Sequence, residues 1–140
     1  MSRRDDSRRS QRGVALVEFA IVLPFLIVLL FSVWELGRIF DAWLVVTNAA
    51  REGARYAVAE QDNSVVKDKV NEYIVSGYAF RLNRPGGDVH IDLNDPAYFV
   101  IQRSGGAVTV TLRARVDIYS PVVAALANPY TVTGRAVMRE

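Results

Sequence analysis

The sequence contains no cysteine and a single histidine. The absence of cysteine excludes a disulfide framework, a cysteine-based zinc site and a thiol nucleophile. It leaves an extracytoplasmic location open, because such domains can also fold without disulfides. No nucleophile–base pair, phosphate-binding loop or pair of catalytic carboxylates is visible in the sequence. We therefore expect neither an enzyme nor a cofactor.

The chain also lacks a strong net charge outside its N-terminus. The whole chain carries a formal charge of +2, and the five arginines and two aspartates of residues 1–13 alone carry +3. Residues 14–140 are therefore slightly acidic, and the basic character belongs to a short tail. This distribution argues against a nucleic-acid partner, which would require a basic folded surface.

Only one ionisable side chain, Glu18, interrupts the apolar run from Val14 to Trp34, VALVEFAIVLPFLIVLLFSVW. A helix of that length would extend roughly 31 Å, which matches the hydrocarbon core of a bilayer. A secretory signal peptide would have a shorter apolar region followed by a small-residue cleavage site, and none is evident. A buried core helix is the other alternative, but so short a chain has little interior. We predict a transmembrane helix over residues 14–34.

The charges that flank this run predict its orientation. More basic residues precede the run than follow it, so the positive-inside rule places residues 1–13 in the cytoplasm and the rest of the chain outside. The predicted organisation is a basic leader (1–13), a transmembrane helix (14–34), an extracytoplasmic continuation of the helix (35–60) and a globular domain (61–140).

The continuation of the helix has an amphipathic pattern. Residues at alternating spacings of four and three predict one buried stripe, whereas the positions between them, including Arg38 and Asp41, are mostly polar; the stripe consists of Leu36, Phe40, Trp43, Thr47, Ala50, Ala54 and Ala57. We predict helix packing through Phe40, Trp43, Ala50, Ala54 and Ala57. The small residues would permit close approach of either the protein's own sheet or a neighbouring subunit.

The remaining sequence predicts a second helix over residues 65–75, with Val66, Val70, Tyr73 and Ile74 on one side, and then strands over 88–94, 98–103, 107–119 and 130–139. The glycines after Ser104 indicate a hairpin. Residues 84–87 form a predicted loop, and residues 121–127 a predicted short helical turn. An antiparallel sheet with one apolar face needs a cover, and the stalk helix offers a matching stripe. The predicted fold class is α+β.

Two polar groups have weaker functional interpretations. Asp88, His90, Asp92 and Asn94 would share one strand face, but their spacing matches no zinc or calcium motif, so we interpret them as solvated and predict no metal site. Arg113, Arg115, Arg135 and Arg139 could form a basic patch for DNA or an acidic partner. We favour a mixed, solvated sheet face.

The N-terminal half also resembles a known family. The segments RG, VALVEF, IVLP and ELGRIFDAWLVVTNAAREGARYAV resemble the TadE-like family, pilin-like components of tight-adherence (Tad or Flp) type IV pilus machines. The resemblance covers residues 12–58 well and the C-terminal strands only loosely. Related proteins of one type carry an added large domain, which 140 residues do not accommodate; a second short type is not distinguished.

The resemblance implies a pilin-like fold and a class III signal peptide, in which a prepilin peptidase cuts between Gly13 and Val14. It also implies that Glu18, Phe19 and Pro24 act in assembly. Without the resemblance, Gly13 could simply be a helix-entry glycine. The implied location is the bacterial inner membrane, and the implied partners are the peptidase and other pilin-like subunits of the same system, in a homo- or hetero-oligomer.

Two functional hypotheses follow from these observations. In the first, the chain is a processed minor pilin-like subunit (a pseudopilin) that acts in pilus assembly or adherence. In the second, it is a single-pass membrane-anchored binding module, which would need neither Gly13 nor Glu18. In the first, Glu18 would pair with the α-amine of Val14 after cleavage; in the second, it would only reach toward the aqueous interface. Pro24, which lacks an N–H, should weaken the helix at Ala20.

Overall fold

The computed structural model describes residues 3–60, 62–77, 89–125 and 129–139, with side chains from residue 13 onward except that of residue 77. The elements, in chain order, are α1 (Arg3–Ala59), α2 (Asn63–Gly77), β1 (Val89–His90), β2 (Phe99–Ser104), β3 (Ala107–Val116), α3 (Pro121–Ala124) and β4 (Tyr130–Arg139). The predicted loop 84–87, Asp88 and part of the turn 121–127 lie outside the described residues.

Helix α1 is one continuous helix from Arg3 to Ala59 and passes through Pro24 without a break. The prediction that the apolar run and the amphipathic stalk form a single helix is therefore confirmed. The helix begins at Arg3, so the backbone of the basic leader is helical as well. Gly13 consequently lies well inside the helix rather than at its entry, and the helix-entry interpretation of this residue is wrong.

The described strands form one antiparallel sheet with β3 at its centre. Strand β4 pairs with one edge of β3 along its full length, from Ala107↔Arg139 to Val116↔Tyr130. On the other edge, β2 pairs from Ser104↔Ala107 to Phe99↔Leu112. The predicted hairpin between β2 and β3 is confirmed. Its two turn glycines have φ values of 63° and 70°, as a type I′ turn requires.

The strand predicted over residues 88–94 is shorter in the structure. Since β2 already occupies β3 as far as Leu112, β1 can pair only beyond that point, at Val89↔Val116 and His90↔Arg115. The chain between β1 and β2 leaves the ladder and turns, with the carbonyl of Asp95 accepting hydrogen bonds from two following backbone N–H groups.

The inner face of the sheet packs against the upper part of α1, as predicted, and α2 packs against α1 and adds its buried residues to the same core. Alternate residues of β3 are buried: Val108, Val110, Leu112, Ala114 and Val116. Helix α2 starts two residues earlier than predicted, after Asp62, whose carboxylate accepts a hydrogen bond of 2.8 Å from the backbone N–H of Ser64. Val66, Val70 and Ile74 are buried, whereas Tyr73 is exposed because it lies at the side of this narrow stripe.

Candidate assembly surface of the long helix

The lower part of α1 presents its side chains outward on every side. From Gly13 to Trp34 every residue is exposed except Ser32, which is half-buried. The Ser32 hydroxyl donates to the carbonyl oxygen of Val28 at 2.8 Å, so it is satisfied inside the helix. Among the described residues, this is the one helix long and apolar enough to cross a membrane, by its length and composition. These properties indicate a single-pass membrane anchor.

The predicted processing and assembly residues all lie on this exposed part. Val14 and Glu18 are separated by four positions, about 6 Å along the axis, and therefore share one side of the helix. Phe19 and Pro24 are also exposed. A Cβ added to Gly13 would have no neighbour within 4 Å, so packing within this chain does not require glycine there. The processing and assembly roles of these residues remain predictions.

The buried stripe of the stalk lies one position away from the predicted one over its lower part. Ala50, Ala54 and Ala57 are buried as expected. By contrast, Leu36, Phe40 and Trp43 are 60%, 59% and 42% exposed, so their predicted burial in the domain is wrong. The line that faces the sheet instead passes through Glu35, Arg38, Ala42, Val46 and Ala49. The sheet meets the helix on that side, and the three large side chains lie at the margin of this contact, beside the start of β4.

Small residues allow the stalk to approach both the sheet and α2 very closely. A Cβ on Gly134 of β4 would lie 2.5 Å from the carbonyl oxygen of Val46 and 2.7 Å from the Cα of Thr47. On the other side, a Cβ on Gly53 would lie 2.7 Å from a methyl of Val70. The small-residue stripe is therefore used for packing on the protein's own domain. The sequence predictions do not include Gly134, although a glycine inside a strand often marks such a close approach.

A buried ion pair stands where the apolar run ends. Glu35 is fully buried, and its carboxylate accepts a hydrogen bond from the guanidinium of Arg38. The same carboxylate accepts backbone N–H groups of Tyr119 at 3.1 Å and Ser120 at 3.0 Å. Arg38 also donates to the carbonyl oxygen of Asp117 at 3.3 Å. These contacts explain why β3 ends at Val116 rather than continuing to Tyr119 as predicted.

Two aromatic rings enclose the arginine of this pair. The Arg38 guanidinium carbon lies 5.0 Å from the centre of the Trp34 ring and 4.7 Å from that of Tyr119, within cation–π range. We call Trp34, Glu35, Arg38, Tyr119 and Ser120 the junction cluster. The sequence prediction placed Arg38 on the polar face, and this is wrong. The sequence feature that could have predicted this ion pair is the spacing of Glu35 and Arg38, which are three positions apart directly after the apolar run.

The exposed large side chains of the stalk form an apolar surface of their own. Leu36, Phe40 and Trp43 lie beside Tyr130 at the start of β4, and together these four residues are the stalk patch. The rings of Phe40 and Trp43 contact each other, with centroids 5.7 Å apart. The patch continues the exposed apolar side of α1 above the predicted membrane segment.

The polar side chains of residues 88–94, considered above as possible metal ligands, make local contacts where the structure describes them. His90 lies 3.0 Å from a carboxylate oxygen of Asp117, which also pairs with Arg115 at 3.3 Å. Asp92 accepts a backbone hydrogen bond from Asn94 at 2.9 Å. The described side chains hold no group of three histidine, aspartate or glutamate residues placed for a metal.

The four arginines considered above as an alternative basic patch are spread over two strands. Arg113 donates to the carbonyl oxygen of Ala97 at 3.0 Å, and Arg115 pairs with Asp117. Arg135 and Arg139 lie on β4, where they pair in register with Thr111 and Ala107 of β3.

Comparison with known proteins gives a match that lies entirely within α1. The family model described as TadE-like protein matches residues 13–55. The matched segment begins at the predicted cleavage glycine and ends inside α1, so it includes Glu18, the junction cluster's α1 residues and most of the stalk patch. No curated protein and no solved structure gives a significant match. The match confirms the resemblance stated above over its most specific segment, and it implies involvement in the Tad pilus system and association with its components.

Proposed function

We propose that this chain, which is TadE-like over residues 13–55, is a minor pilin-like subunit of a Tad or Flp type IV pilus system. A prepilin peptidase removes residues 1–13, and the mature chain acts in pilus assembly or adherence through its helix. Its role is structural rather than enzymatic. It resides in the bacterial inner membrane with its N-terminus in the cytoplasm and its sheet domain outside.

The observation that supports this proposal most is that two sides of α1 have different surroundings. The sheet domain packs on the side of the stalk that carries small residues, and Leu36, Phe40 and Trp43 remain exposed to solvent. An exposed apolar patch next to an anchor favours protein–protein contact. Another pilin-like helix, from a second copy or a different subunit, would bury this patch together with the lower part of α1.

Glu18 would set the register of that contact. Cleavage after Gly13 creates a free α-amine on Val14, one helical turn from the Glu18 carboxylate. A charged carboxylate is costly in the apolar layer unless it is paired. Pairing with the new amine, in the same chain or in a neighbouring one, would compensate both charges and favour one axial position of adjacent helices.

A membrane-anchored binding module is the second candidate function. In that case α1 only tethers the domain, and neither cleavage nor Glu18 matters. Intact mass of the protein extracted from membranes separates the two hypotheses. The pilin-like role requires a chain that begins at Val14, whereas persistence of residues 1–13 in cells with an active peptidase would contradict it.

The Glu18→Gln variant tests the register mechanism. We expect it to insert and to be largely cleaved, yet to lose co-purification with the other pilus components. Val17→Ala, on a neighbouring exposed position, is the control and should assemble normally. Unchanged incorporation of Glu18→Gln would reject the pairing and leave the carboxylate as a recognition element for the peptidase or a bystander.

The stalk patch can be tested separately. The double variant Phe40→Ala/Trp43→Ala should keep its thermal stability, since both side chains are exposed, while its incorporation falls. Asn48→Ala, exposed on the same helix, is the matched control. Normal incorporation of the double variant would exclude the patch as an assembly contact.

A further inference from the structure

A loop of the sheet domain lies at the level where α1 leaves its apolar run. Glu35, the residue directly after Trp34, accepts hydrogen bonds from the backbone N–H groups of Tyr119 and Ser120. The turn that leads into α3 is therefore fixed at the same height along the helix axis as residue 35. If residues 14–34 span the bilayer, this turn lies at its surface.

The chemistry of this loop differs from that of an ordinary solvated turn. The stretch from Ile118 to Tyr130, IYSPVVAALANPY, contains no aspartate, glutamate, lysine, arginine or histidine. Ile118 enters the core, but among the described residues after it Tyr119 is 57% and Val122 48% exposed, and none of the α3 residues is buried. An uncharged stretch with exposed apolar side chains is compatible with contact to lipid, where a charge would be costly.

The neighbouring side chains suit a membrane interface. Trp34 is exposed at the end of the apolar run and Tyr119 is exposed beside it, and amphipathic aromatic rings favour the boundary between lipid tails and water. The nearby charge of Arg38 is compensated by Glu35 and enclosed by the two rings. Charge in the junction cluster therefore does not oppose contact of this loop with lipid.

We propose that residues 119–125 insert into the interfacial layer of the bilayer from which α1 emerges, and that they form a second lipid contact of the domain. The occupant of this surface is the lipid itself. With the helix as the first contact and this loop as the second, the domain is held in one orientation on the membrane. The proposal depends on the membrane anchor but not on pilus assembly.

The absence of cysteine makes a direct test straightforward. Val122→Cys and Ser104→Cys each introduce a unique thiol for an environment-sensitive fluorophore. Ser104 is the matched control, because its neighbour Arg103 binds the carbonyl oxygen of Glu60, which places the β2–β3 turn at the far end of the stalk. The labelled full-length chains are reconstituted into phosphatidylcholine vesicles with and without lipids that carry a nitroxide quencher on the acyl chain. Circular dichroism checks that both variants are folded.

We expect the nitroxide lipids to quench the label at residue 122 several-fold more than the label at residue 104, and aqueous iodide to show the reverse order. Iodide quenching of both labels without lipid quenching would overturn the proposal. Protection of residue 122 from both quenchers would also overturn it, since protein rather than lipid would then cover the loop. The vesicles contain no other pilus component, so these outcomes are independent of the assembly tests.

Discussion

The lower and upper parts of α1 belong to one helix but meet different surroundings. Residues 13–34 are exposed, apart from the half-buried Ser32, and mostly bulky, whereas the buried side of residues 35–59 is dominated by alanine. Glycines stand at its closest contacts, Gly53 on α1 itself and Gly134 on β4. Lipid chains adapt to the shape of large side chains. A sheet and a second helix are close-packed and rigid, so their approach to the helix backbone limits the side chains between them. The size of the apolar residues therefore distinguishes membrane contact from contact with the domain.

The border between the two parts is marked by charge. Glu35 and Arg38 form an ion pair buried against the domain, directly above a run whose single charge is Glu18. The pair also forms hydrogen bonds with backbone groups of residues 117, 119 and 120. Its geometry fixes where the domain begins along the helix, which neither the apolar run nor the alanine stripe defines.

The largest loss of stability should come from removing the buried ion pair between the two parts of α1. Glu35→Ala leaves the Arg38 guanidinium buried without its carboxylate and removes the acceptor of two backbone N–H groups, so we expect a loss of about 3–5 kcal/mol of domain stability. Thermal unfolding of the full chain in detergent, followed by near-ultraviolet circular dichroism, measures it. Glu52→Ala, which removes the exposed pair with Arg55, should barely change the melting temperature. Equal shifts for the two variants would contradict the structural role of the buried pair.

The next effect concerns the closest contact of the upper part. Gly134→Ala places a methyl group against the backbone of α1 at Val46, and we expect a cost of about 1–3 kcal/mol from the forced shift. Gly37→Ala is the control, because a Cβ there meets nothing within 4 Å and alanine favours a helix by about 1 kcal/mol. The same melting experiment should show opposite signs for the two variants. An unchanged melting temperature for Gly134→Ala would mean that the stalk and the sheet are packed less tightly than the distance between Gly134 and Val46 indicates.

The smallest effect lies just beyond the upper end of α1, at the start of α2. Hydrogen bonds from the backbone N–H and then the hydroxyl of Ser64 hold the pKa of the Asp62 carboxyl below its ordinary value of 3.8. Because the folded-state pKa is lowered, the cap stabilises the fold above about pH 4 and is lost as the pH falls through the folded-state pKa. Asp62→Ala should lower the melting temperature at pH 7, and the difference from the parent should shrink below pH 4.

Asp62→Asn sharpens this test, since an amide caps a helix without titrating. It should keep most of the cap at neutral pH and remove the acid dependence. Asp68→Ala, on the exposed side of α2, controls for the loss of a carboxylate elsewhere. A difference between Asp62→Ala and the parent that persists unchanged into acid would show that the carboxylate charge is not what stabilises the cap.

Local sequence patterns predicted several of the elements that the structure contains. The apolar run predicted the exposed anchor, the period-two alternation from Val108 to Val116 predicted the inner face of β3, and the glycine pair predicted the hairpin. These features depend on neighbouring residues alone, because a strand alternates its faces and a turn needs positive φ wherever it occurs. The TadE-like segment was likewise recognisable, since its signal is a linear order of residues; the processing and assembly roles within it remain predictions.

What the sequence by itself determined is therefore the long helix, the α+β class and the TadE-like segment. Only the tertiary structure decided which side of the stalk faces the sheet. A heptad-like pattern permits a rotation by one position, and the choice that buries Glu35 and Arg38 while exposing Phe40 and Trp43 depends on backbone donors that arrive from residues 117–120. Likewise, β1 is cut short because β2 occupies the same edge of β3. The orientation of the stalk and the length of β1 both depend on contacts between segments that are distant in sequence. A local sequence pattern contains no information about such contacts.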